Sequence, residues 1–445
     1  MNKKKSIKIA VAAVAVSAVA VLGAGAIIGA TGWTGSDYTI PEVDLSAVRE
    51  NVDTQSRYLY EQTVVDDTED YLGHPDSVLL KDGKILTLYP KGHGKGAILN
   101  KLSTDGGKSW SDSVKDTPLT WEDSLETPTV YRCTLHDGSE KLILISANPQ
   151  WPNMKTDGGF NCSVSSDEGQ TWTQFENFYS KGSDGGVVPI VAMSSLTQLK
   201  ENGEFVDKWM GTFHDSEFIN YKTILTFDEN GYPYWSKPEK YFSKYRLIEE
   251  KAKMCEVEII RSDGGKGDEL CLIARSNSKK MNSLISFSTD EGASWSQPKE
   301  VPAALNGERH KAEWTNDGRL FITFRSIERG PKAKEAKGFH LFNTKKWISE
   351  GWVAWVGTYD DLKNGKEGQY RIKLAHTYLD GQSADGYVAN PDTGYCGNVV
   401  LPDGTIVTSS YGQFSPKAKA SDGKLKTYII SKRINLKDTD KLVNK

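Results

Sequence analysis

The chain has 445 residues, a formal net charge of -4 and a hydrophobic fraction of 38%. Its 55 Lys and Arg against 59 Asp and Glu lack the basic excess of a nucleic-acid binder, so we expect no nucleic-acid partner. The 41 Gly, 12 Trp and 19 Tyr indicate many turns and aromatic strands rather than disorder. The five cysteines contain no close pair, so neither a disulfide scaffold nor a metal site is indicated, and no cofactor is expected.

The chain begins with a segment typical of exported proteins. A basic stretch at residues 2–8 precedes an uncharged apolar run over residues 9–30. Small residues at Ala24 and Ala26 fit a cleaved signal peptide, whereas the length of the run also fits an uncleaved membrane anchor. Either alternative predicts a secreted or extracellular surface protein. Residues 31–68 are interpreted as a polar lead-in to the folded domain.

A motif with the pattern S-x-D-x-G-x-[ST]-W recurs along the chain. It occurs at residues 103–110, 165–172 and 288–295, and a weaker copy begins at Thr226. Successive copies start 62, 61 and 62 residues apart, and a fixed period of this size indicates stacked or radially arranged units. Because each copy follows a short β-type run, its aspartate is predicted to form a turn and not to act as a catalytic acid. These aspartates are Asp105, Asp167 and Asp290.

Each unit also opens with a hairpin pattern. In SVLLKDGKILTLY and NVVLPDGTIVTSSY, for example, Asp-Gly stands between β-rich runs, which is a strong hairpin signal. Two hairpins make a four-stranded sheet, and residues 69–442 accommodate six units of this period. We therefore predict an all-β protein, a six-bladed β-propeller of four-stranded antiparallel blades.

The repeated turn resembles that of the sialidase (neuraminidase) superfamily, where it is called the Asp-box, and the resemblance covers about residues 70–440. It implies a substrate site over the central axis, near the start of the innermost strands and the loops after the second strands. It further implies an exo-acting, retaining glycoside hydrolase that releases terminal sialic acid. Such enzymes use a tyrosine nucleophile, because the substrate's own carboxylate would repel a carboxylate nucleophile.

Two segments resemble the catalytic blades of this family. TGYCGNVVLPDGTIVTSSY is similar to the nucleophile segment and implies that Tyr395 is the nucleophile. CEVEIIRSDGGKGDELCLIARSNS is similar to the fourth-blade segment and implies Glu256 as the base partner of the tyrosine. Glu258 has the same strand parity and is the fallback. The segment closes on Arg275, whose planar guanidinium suits bidentate binding of a substrate carboxylate.

The family uses three arginines to hold that carboxylate. Arg325 ends the second strand of blade five as Arg275 does in blade four, and Arg309 opens the innermost strand of blade five. Both are candidate members of the cluster, with Arg329 and Arg371 in reserve. Ordinary surface ion pairing is the alternative for each of them.

The first blade departs from the family pattern. Residues 73–75 read Gly-His-Pro where the family has Arg-Ile-Pro, and the loop after the second strand carries no carboxylate. Asp76 and His93 are therefore the candidate acid/base groups, and Lys91 and Lys95 are candidates to replace the lost positive charge. The expected partners are sialylated glycans or glycans with another ulosonic or uronic acid. The alternatives are a non-catalytic glycan-binding propeller and a polysaccharide lyase.

Overall fold

Six β-sheets form a closed ring in the computed structural model, which describes residues 37–47, 52–111, 116–150, 156–329, 347–380 and 389–443. The first strand of each sheet contacts the first strand of the next, and the sixth returns to the first. This ring confirms the predicted six-bladed propeller. The predicted signal peptide or anchor over residues 9–30 lies outside the described residues. Within the described ranges, no helix is both long and apolar enough to cross a bilayer.

The first half of the chain builds three blades, in each of which consecutive strands pair antiparallel. Two short strands come before them, β1 (Glu42–Asp44) and β2 (Thr63–Asp66). Blade 1 contains β3 (Asp76–Leu79), β4 (Ile85–Pro90) and β5 (Ile98–Ser103); blade 2 contains β6 (Thr129–Thr134), β7 (Glu140–Ala147), β8 (Phe160–Ser165) and β9 (Glu176–Phe178). Blade 3 contains β10 (Pro189–Glu201), β11 (Glu204–Asp215), β12 (Asn220–Phe227), β13 (Pro233–Trp235) and β14 (Glu239–Lys240).

The second half builds the remaining three blades in the same way. Blade 4 contains β15 (Met254–Arg261), β16 (Leu270–Ser276), β17 (Leu284–Ser288) and β18 (Lys299–Glu300); blade 5 contains β19 (Gly307–Trp314), β20 (Leu320–Ser326), β21 (Trp352–Gly357) and β22 (Tyr370–Ala375). Blade 6 contains β23 (Cys396–Val400), β24 (Ile406–Gly412) and β25 (Tyr428–Ile434). Short helices lie between the strands: α1 (Arg246–Ala252), α2 (Ser262–Gly265), α3 (Tyr359–Lys363), α4 (Leu436–Val443), and 3-10 turns at Arg57–Tyr60, Leu119–Asp123, Ser243–Tyr245 and Ala303–Leu305.

The segment interpreted as a lead-in contributes two strands to the propeller. β2 pairs with β25 and is the outermost strand of blade 6, while β1 adds to the outer edge of blade 5 beside β22. The buried ammonium of Lys432 donates to the Leu45 carbonyl at 2.8 Å and ties this segment to blade 6. Because β2 pairs with β25, the ring closes without leaving this edge of β25 unpaired.

The repeated turns share one hydrogen-bond pattern. Asp167 accepts from the Ser165 hydroxyl at 2.8 Å and from both the backbone N–H and the hydroxyl of Thr171, at 2.9 and 2.6 Å. Asp105 and Asp290 make the corresponding contacts in the other two turns. The carboxylates are therefore satisfied locally, which supports their role as turn formers.

Apolar side chains fill the spaces between neighbouring blades. Phe160 of blade 2, for example, packs edge-on against Trp235 of blade 3 with ring centroids 5.2 Å apart. Trp172, from a repeated turn, packs against Trp121 at 5.3 Å. All five cysteines are buried and unpaired. Among the described residues, which omit 112–115, blade 1 has three strands, and a single bridge between Leu102 and Ser111 stands where a fourth was predicted.

Candidate active site

Two adjoining cavities lie over the axis, beside the start of the innermost strands. The larger, of about 640 Å³, is lined by blades 1 to 4 and the start of blade 6. The smaller, of about 510 Å³, is lined by blades 1, 4, 5 and 6. His74, His93, Arg275 and Tyr395 line both cavities. These four residues therefore form the junction at which a ligand can reach either space.

Tyr395 and Glu256 form a hydrogen-bonded pair at this junction. The Tyr395 hydroxyl donates to Glu256 Oε1, and both side chains are buried. Arg275 Nη1 donates to both carboxylate oxygens of Glu256, at 3.0 and 2.9 Å. The pair predicted from two distant segments is thus brought together, with Arg275 holding the carboxylate in place.

Electrostatics keep the proton on Tyr395 and the charge on Glu256. Burial raises the pKa of Glu256, but Arg275, Arg309 and the Tyr395 hydroxyl outweigh it and lower this pKa to about 2. Burial and the neighbouring Glu256 charge hold the pKa of Tyr395 well above its ordinary value. At neutral pH the pair is a phenol beside a carboxylate, which is the state required for Glu256 to accept the phenolic proton.

β-Bulges set the direction in which two site residues, Glu256 and Arg309, leave their strands. Glu256 has φ +46° and lies where the pairing of β15 with β16 shifts register between Cys255 and Val257. Arg309 has φ +56° and lies at a similar shift in β19. Left-handed backbone at non-glycine residues is strained, and bulges of this kind re-aim side chains next to functional sites.

The same bulge separates Glu258 from the site. Its carboxyl accepts a hydrogen bond from the Ala312 N–H at 2.9 Å, and Glu258 lines neither cavity. Burial raises its pKa from 4.5 to about 7, although Lys311 and the Ala312 N–H act in the opposite direction. The fallback base therefore lies outside both cavities and contacts blade 5 instead of Tyr395.

Glu258→Gln should remove a pH-dependent loss of stability. Because the pKa of Glu258 is raised in the folded state, its protonated carboxyl contributes about 3 kcal/mol of stability below pH 4.5. This contribution is lost as the pH rises through about 7. Glutamine retains the acceptor for the Ala312 N–H without titrating. Urea unfolding between pH 4.5 and 8 should show a flatter profile for the variant. An unchanged profile would contradict the expected burial of an ionising Glu258.

The predicted arginines converge on Tyr395 in different ways. Arg275 lines both cavities and Arg325 lines the smaller one. Arg309 lines neither, but its guanidinium lies 5.2 Å from the centre of the Tyr395 ring, within cation–π range. The reserves lie elsewhere: Arg329 contacts Asn282 and Lys280, and Arg371 contacts Glu42 and Glu328.

A buried carboxylate that the sequence reasoning missed, Glu308, lies among these cations. It pairs with Arg325 Nη2 at 2.8 Å, Arg275 Nε at 3.3 Å and Lys279 Nζ at 3.1 Å. Burial raises its pKa, but Arg275, Arg325 and Lys279 lower it to about 2. Its place next to Arg309 at the start of an innermost strand, comparable to that of Glu256, was the available sequence signal.

The two predicted acid/base candidates differ in position. His93 lines both cavities, with 62% of its side chain exposed. Asp76 lines neither; it accepts from the Val130 and Ser77 N–H groups at 3.0 Å and pairs with Lys311 at 3.3 Å. The structure thus places His93 at the cavity junction, separated from Tyr395 by the ring of His74, and Asp76 within a buried network.

The two lysines predicted to replace the lost positive charge also differ in position. Lys95 and Glu126 line the larger cavity. Lys91 instead pairs with Glu69 at 2.7 Å. Glu126, which precedes β6, is not among the candidate site residues named from the sequence. In the part of the chain that the structure describes, no cluster of His, Cys, Asp and Glu has the geometry of a metal site.

A glycine allows the loop that carries Tyr395 to pack against blade 5. Gly394 has φ +91°, and a Cβ there would lie 2.5 Å from the Cβ and 2.6 Å from the backbone nitrogen of Arg325. Gly394→Ala should displace Tyr395, lowering both activity and stability, the latter by more than about 1 kcal/mol. Thermal unfolding and turnover measure the two effects. Gly423→Ala is the matched control, because Gly423 has φ +82° with no atom within 4 Å of the added Cβ. Equal effects at both positions would contradict the role of close packing.

No protein-family model and no curated protein sequence matches the chain. Solved structures do. One is a protein of unknown function from Dyadobacter fermentans DSM 18053, with 15% identity, a TM-score of 0.53, and coverage of 84% of this chain and 98% of the other. Another is the GH93 α-L-arabinofuranosidase of Fusarium graminearum, with 12% identity, a TM-score of 0.53, and coverage of 85% and 98%.

The chain shares its fold with these two structures. A NanB sialidase structure from Streptococcus pneumoniae is also among the similar structures, with 11% identity, a TM-score of 0.49, and coverage of 85% of this chain and 70% of the other. At such identities the likeness to the first two structures shows the fold alone. Several of the neighbours are glycoside hydrolases. The chemistry has to be argued from the residues around Tyr395.

Proposed function

We propose that the protein is a secreted or surface exo-glycoside hydrolase that releases a terminal sialic acid or related acidic sugar from glycans. The observation that carries this proposal is the hydrogen bond from Tyr395 to the ionised Glu256 at the junction of the two cavities. A phenol is a weak nucleophile unless a neighbouring base removes its proton during attack, and Glu256 is in contact with that proton.

The first step is attack of Tyr395 Oη on the anomeric carbon of the substrate. Glu256 takes the phenolic proton as the new bond forms. The bond from the anomeric carbon to the leaving oxygen breaks, and protonated His93 gives its proton to that oxygen. The product is a covalent tyrosyl glycoside together with the released remainder of the glycan.

The second step hydrolyses this intermediate. His93, now neutral, takes a proton from the water that attacks the anomeric carbon. The bond to Tyr395 Oη breaks, and Glu256 returns its proton to the phenolate. Two displacements at the same carbon retain the anomeric configuration.

The local charge supports an acidic substrate. Arg275, Arg325 and Lys279 line the smaller cavity and Arg309 contacts the Tyr395 ring, whereas Glu256, Glu308 and Asp392 are the carboxylates among them. Four cations against these three anions leave one positive charge in excess, which favours a ligand that carries its own carboxylate.

A polysaccharide lyase is the second candidate, favoured by the position of His74. Its ring lies 4.3 Å from the Tyr395 ring, and burial, with the nearby His93 and arginine charges, lowers its pKa well below the ordinary value. A neutral imidazole can take the proton next to a uronate carboxylate while Tyr395 gives its proton to the leaving oxygen across the C4–O4 bond. The electron pair of the broken C–H bond then forms a C4–C5 double bond.

A substrate panel tests these functions. The purified protein is incubated with fluorogenic α-sialosides, aryl uronides and an aryl arabinofuranoside, and separately with uronic-acid polymers. We expect fluorophore release from acidic glycosides, and proton NMR should show that the first product anomer retains the substrate configuration. Release from the arabinofuranoside alone contradicts the acidic substrate. Ultraviolet absorbance from unsaturated products supports the lyase, and binding without any product supports a glycan-binding propeller.

A further inference from the structure

A tightly wound loop presents His93 to both cavities. The loop spans residues 91–96 and is closed by a hydrogen bond from the Lys91 N–H to the Ala97 carbonyl at 2.8 Å. A second bond, from the Gly96 N–H to the Ser124 carbonyl at 2.8 Å, ties it to blade 2. Gly96 has φ +107°, and a Cβ there would lie 2.3 Å from the Lys91 carbonyl oxygen. The loop therefore holds His93 in a defined position despite its exposure.

Two side chains from different parts of the fold, Tyr71 and Asp392, meet at His93 Nδ1. Tyr71 Oη lies 2.6 Å from this nitrogen and donates to Asp392 Oδ2 at 2.8 Å. Asp392 Oδ1 lies 3.3 Å from the same nitrogen and accepts from the Tyr411 hydroxyl at 3.1 Å. Burial raises the pKa of Asp392, but His93 and the Tyr71 hydroxyl outweigh it and lower the pKa to about 2. The carboxylate is ionised and can only accept hydrogen bonds.

The direction of these bonds determines which nitrogen of His93 carries the proton. A tyrosine hydroxyl has one hydrogen, and that of Tyr71 is used on Asp392. The short contact between Tyr71 Oη and His93 Nδ1 therefore requires an Nδ1–H that donates to the oxygen. The same Nδ1–H also lies close to the acceptor Asp392 Oδ1. In the neutral ring, Nε2 is then the nitrogen with a free lone pair.

Asp392 is on the same loop as Tyr395, three residues earlier in the chain. This loop is held by the Thr393 hydroxyl, which donates to the Tyr411 carbonyl at 2.6 Å, and by the Gly394 N–H, which donates to Ser410 Oγ at 3.1 Å. The ring of His74 lies between His93 and Tyr395, with its centroid 4.7 Å from the His93 ring and 4.3 Å from the Tyr395 ring. One rigid loop thus positions the nucleophile candidate and the partner of the acid/base candidate.

We propose that Asp392 and Tyr71 are positioning residues that keep the neutral His93 protonated on Nδ1, so that Nε2 exchanges the proton with the leaving group. The inference rests on the proposed hydrolase function for the proton exchange, and on hydrogen-bond geometry alone for the tautomer. Hydrolysis needs Nε2 to be a donor in the first step and a free base in the second. Only the Nδ1–H tautomer provides that base.

Nitrogen NMR of selectively labelled histidine tests the tautomer without any substrate. The protein has 7 His, and the signals of His93 are assigned as those lost in His93→Gln. We expect the Nδ1–H pattern in the wild type and a shift toward Nε2–H in Asp392→Asn and Tyr71→Phe. Tyr411→Phe is the matched control, because it removes another hydroxyl bound to Asp392 while the Tyr71 contact stays. An Nε2–H pattern in the wild type overturns the inference.

Kinetics on aryl glycosides of graded leaving-group acidity test the proton exchange. Asp392→Asn and His93→Gln should lower kcat/KM by about 10²-fold for substrates with poor leaving groups and change kcat/KM of activated substrates little, because kcat/KM reports the first step alone. A purely structural role would slow both classes equally and would overturn the positioning role. Absence of any glycoside turnover by the wild type overturns the proposed function and the proton exchange with it, while NMR still decides the tautomer.

Discussion

Tyr395→Phe should reduce glycoside turnover by at least about 10³-fold while leaving the propeller folded. The substitution removes one oxygen, which donates to Glu256, and leaves the ring that packs against His74 and Arg309. Without that oxygen no covalent glycosyl intermediate can form. The initial rate with the best substrate of the panel measures the effect, and circular dichroism with thermal unfolding checks the fold.

The matched control for this substitution is Tyr370→Phe. Tyr370 is also buried and its hydroxyl is also hydrogen bonded, to Thr439 and Asp440, but it is on the outer strand of blade 5 and lines neither cavity. We expect a similar loss of stability from both substitutions and a loss of turnover from Tyr395→Phe alone. Unchanged turnover in Tyr395→Phe would refute its assignment as the nucleophile.

Glu308→Gln should destabilise the fold by about 3–5 kcal/mol, because it removes the counter-charge of buried cations. Arg275, Arg325 and Lys279 all contact the Glu308 carboxylate, and glutamine retains its shape but not its charge. Urea unfolding at neutral pH measures the loss. Glu201→Gln is the control, because the exposed pair of Glu201 with Lys208 should contribute little.

The same variant reports on the ligand of the site. Without the Glu308 charge, a small acidic sugar should raise the unfolding temperature of the variant more than that of the wild type, because it supplies the missing carboxylate. A neutral sugar of similar size should not. If Glu308→Gln is as stable as the wild type, the cations are not held by this carboxylate, and the charge argument for an acidic substrate is lost.

Local and periodic features could be predicted from the sequence. The spacing of the repeated turns and the Asp-Gly hairpins predicted six blades, because each blade is built from consecutive residues whose turns need particular side chains. Tyr395, Glu256 and Arg275 could be named because their segments resemble those of the sialidase superfamily, and Arg325 because it ends the second strand of blade five as Arg275 does in blade four. The structure brings these residues together as the predicted architecture requires.

Contacts between distant segments could not be predicted in this way. Nothing local in the sequence places Asp392 beside His93 or Glu308 beside Arg275 and Lys279, because these partners are on different blades or loops. Strand parity also predicted Glu258 on the same face as Glu256. The bulge at Glu256 shifts the register of β15, so this alternation does not hold there.

The sequence by itself thus determined the number of blades and the turns, since these depend on interactions between neighbours in the chain. The tertiary structure alone decided which charges are paired, which candidate residues face the cavities and how β2 closes the ring in blade 6. Those properties depend on the closure of the propeller, which brings blades hundreds of residues apart into contact at one axis.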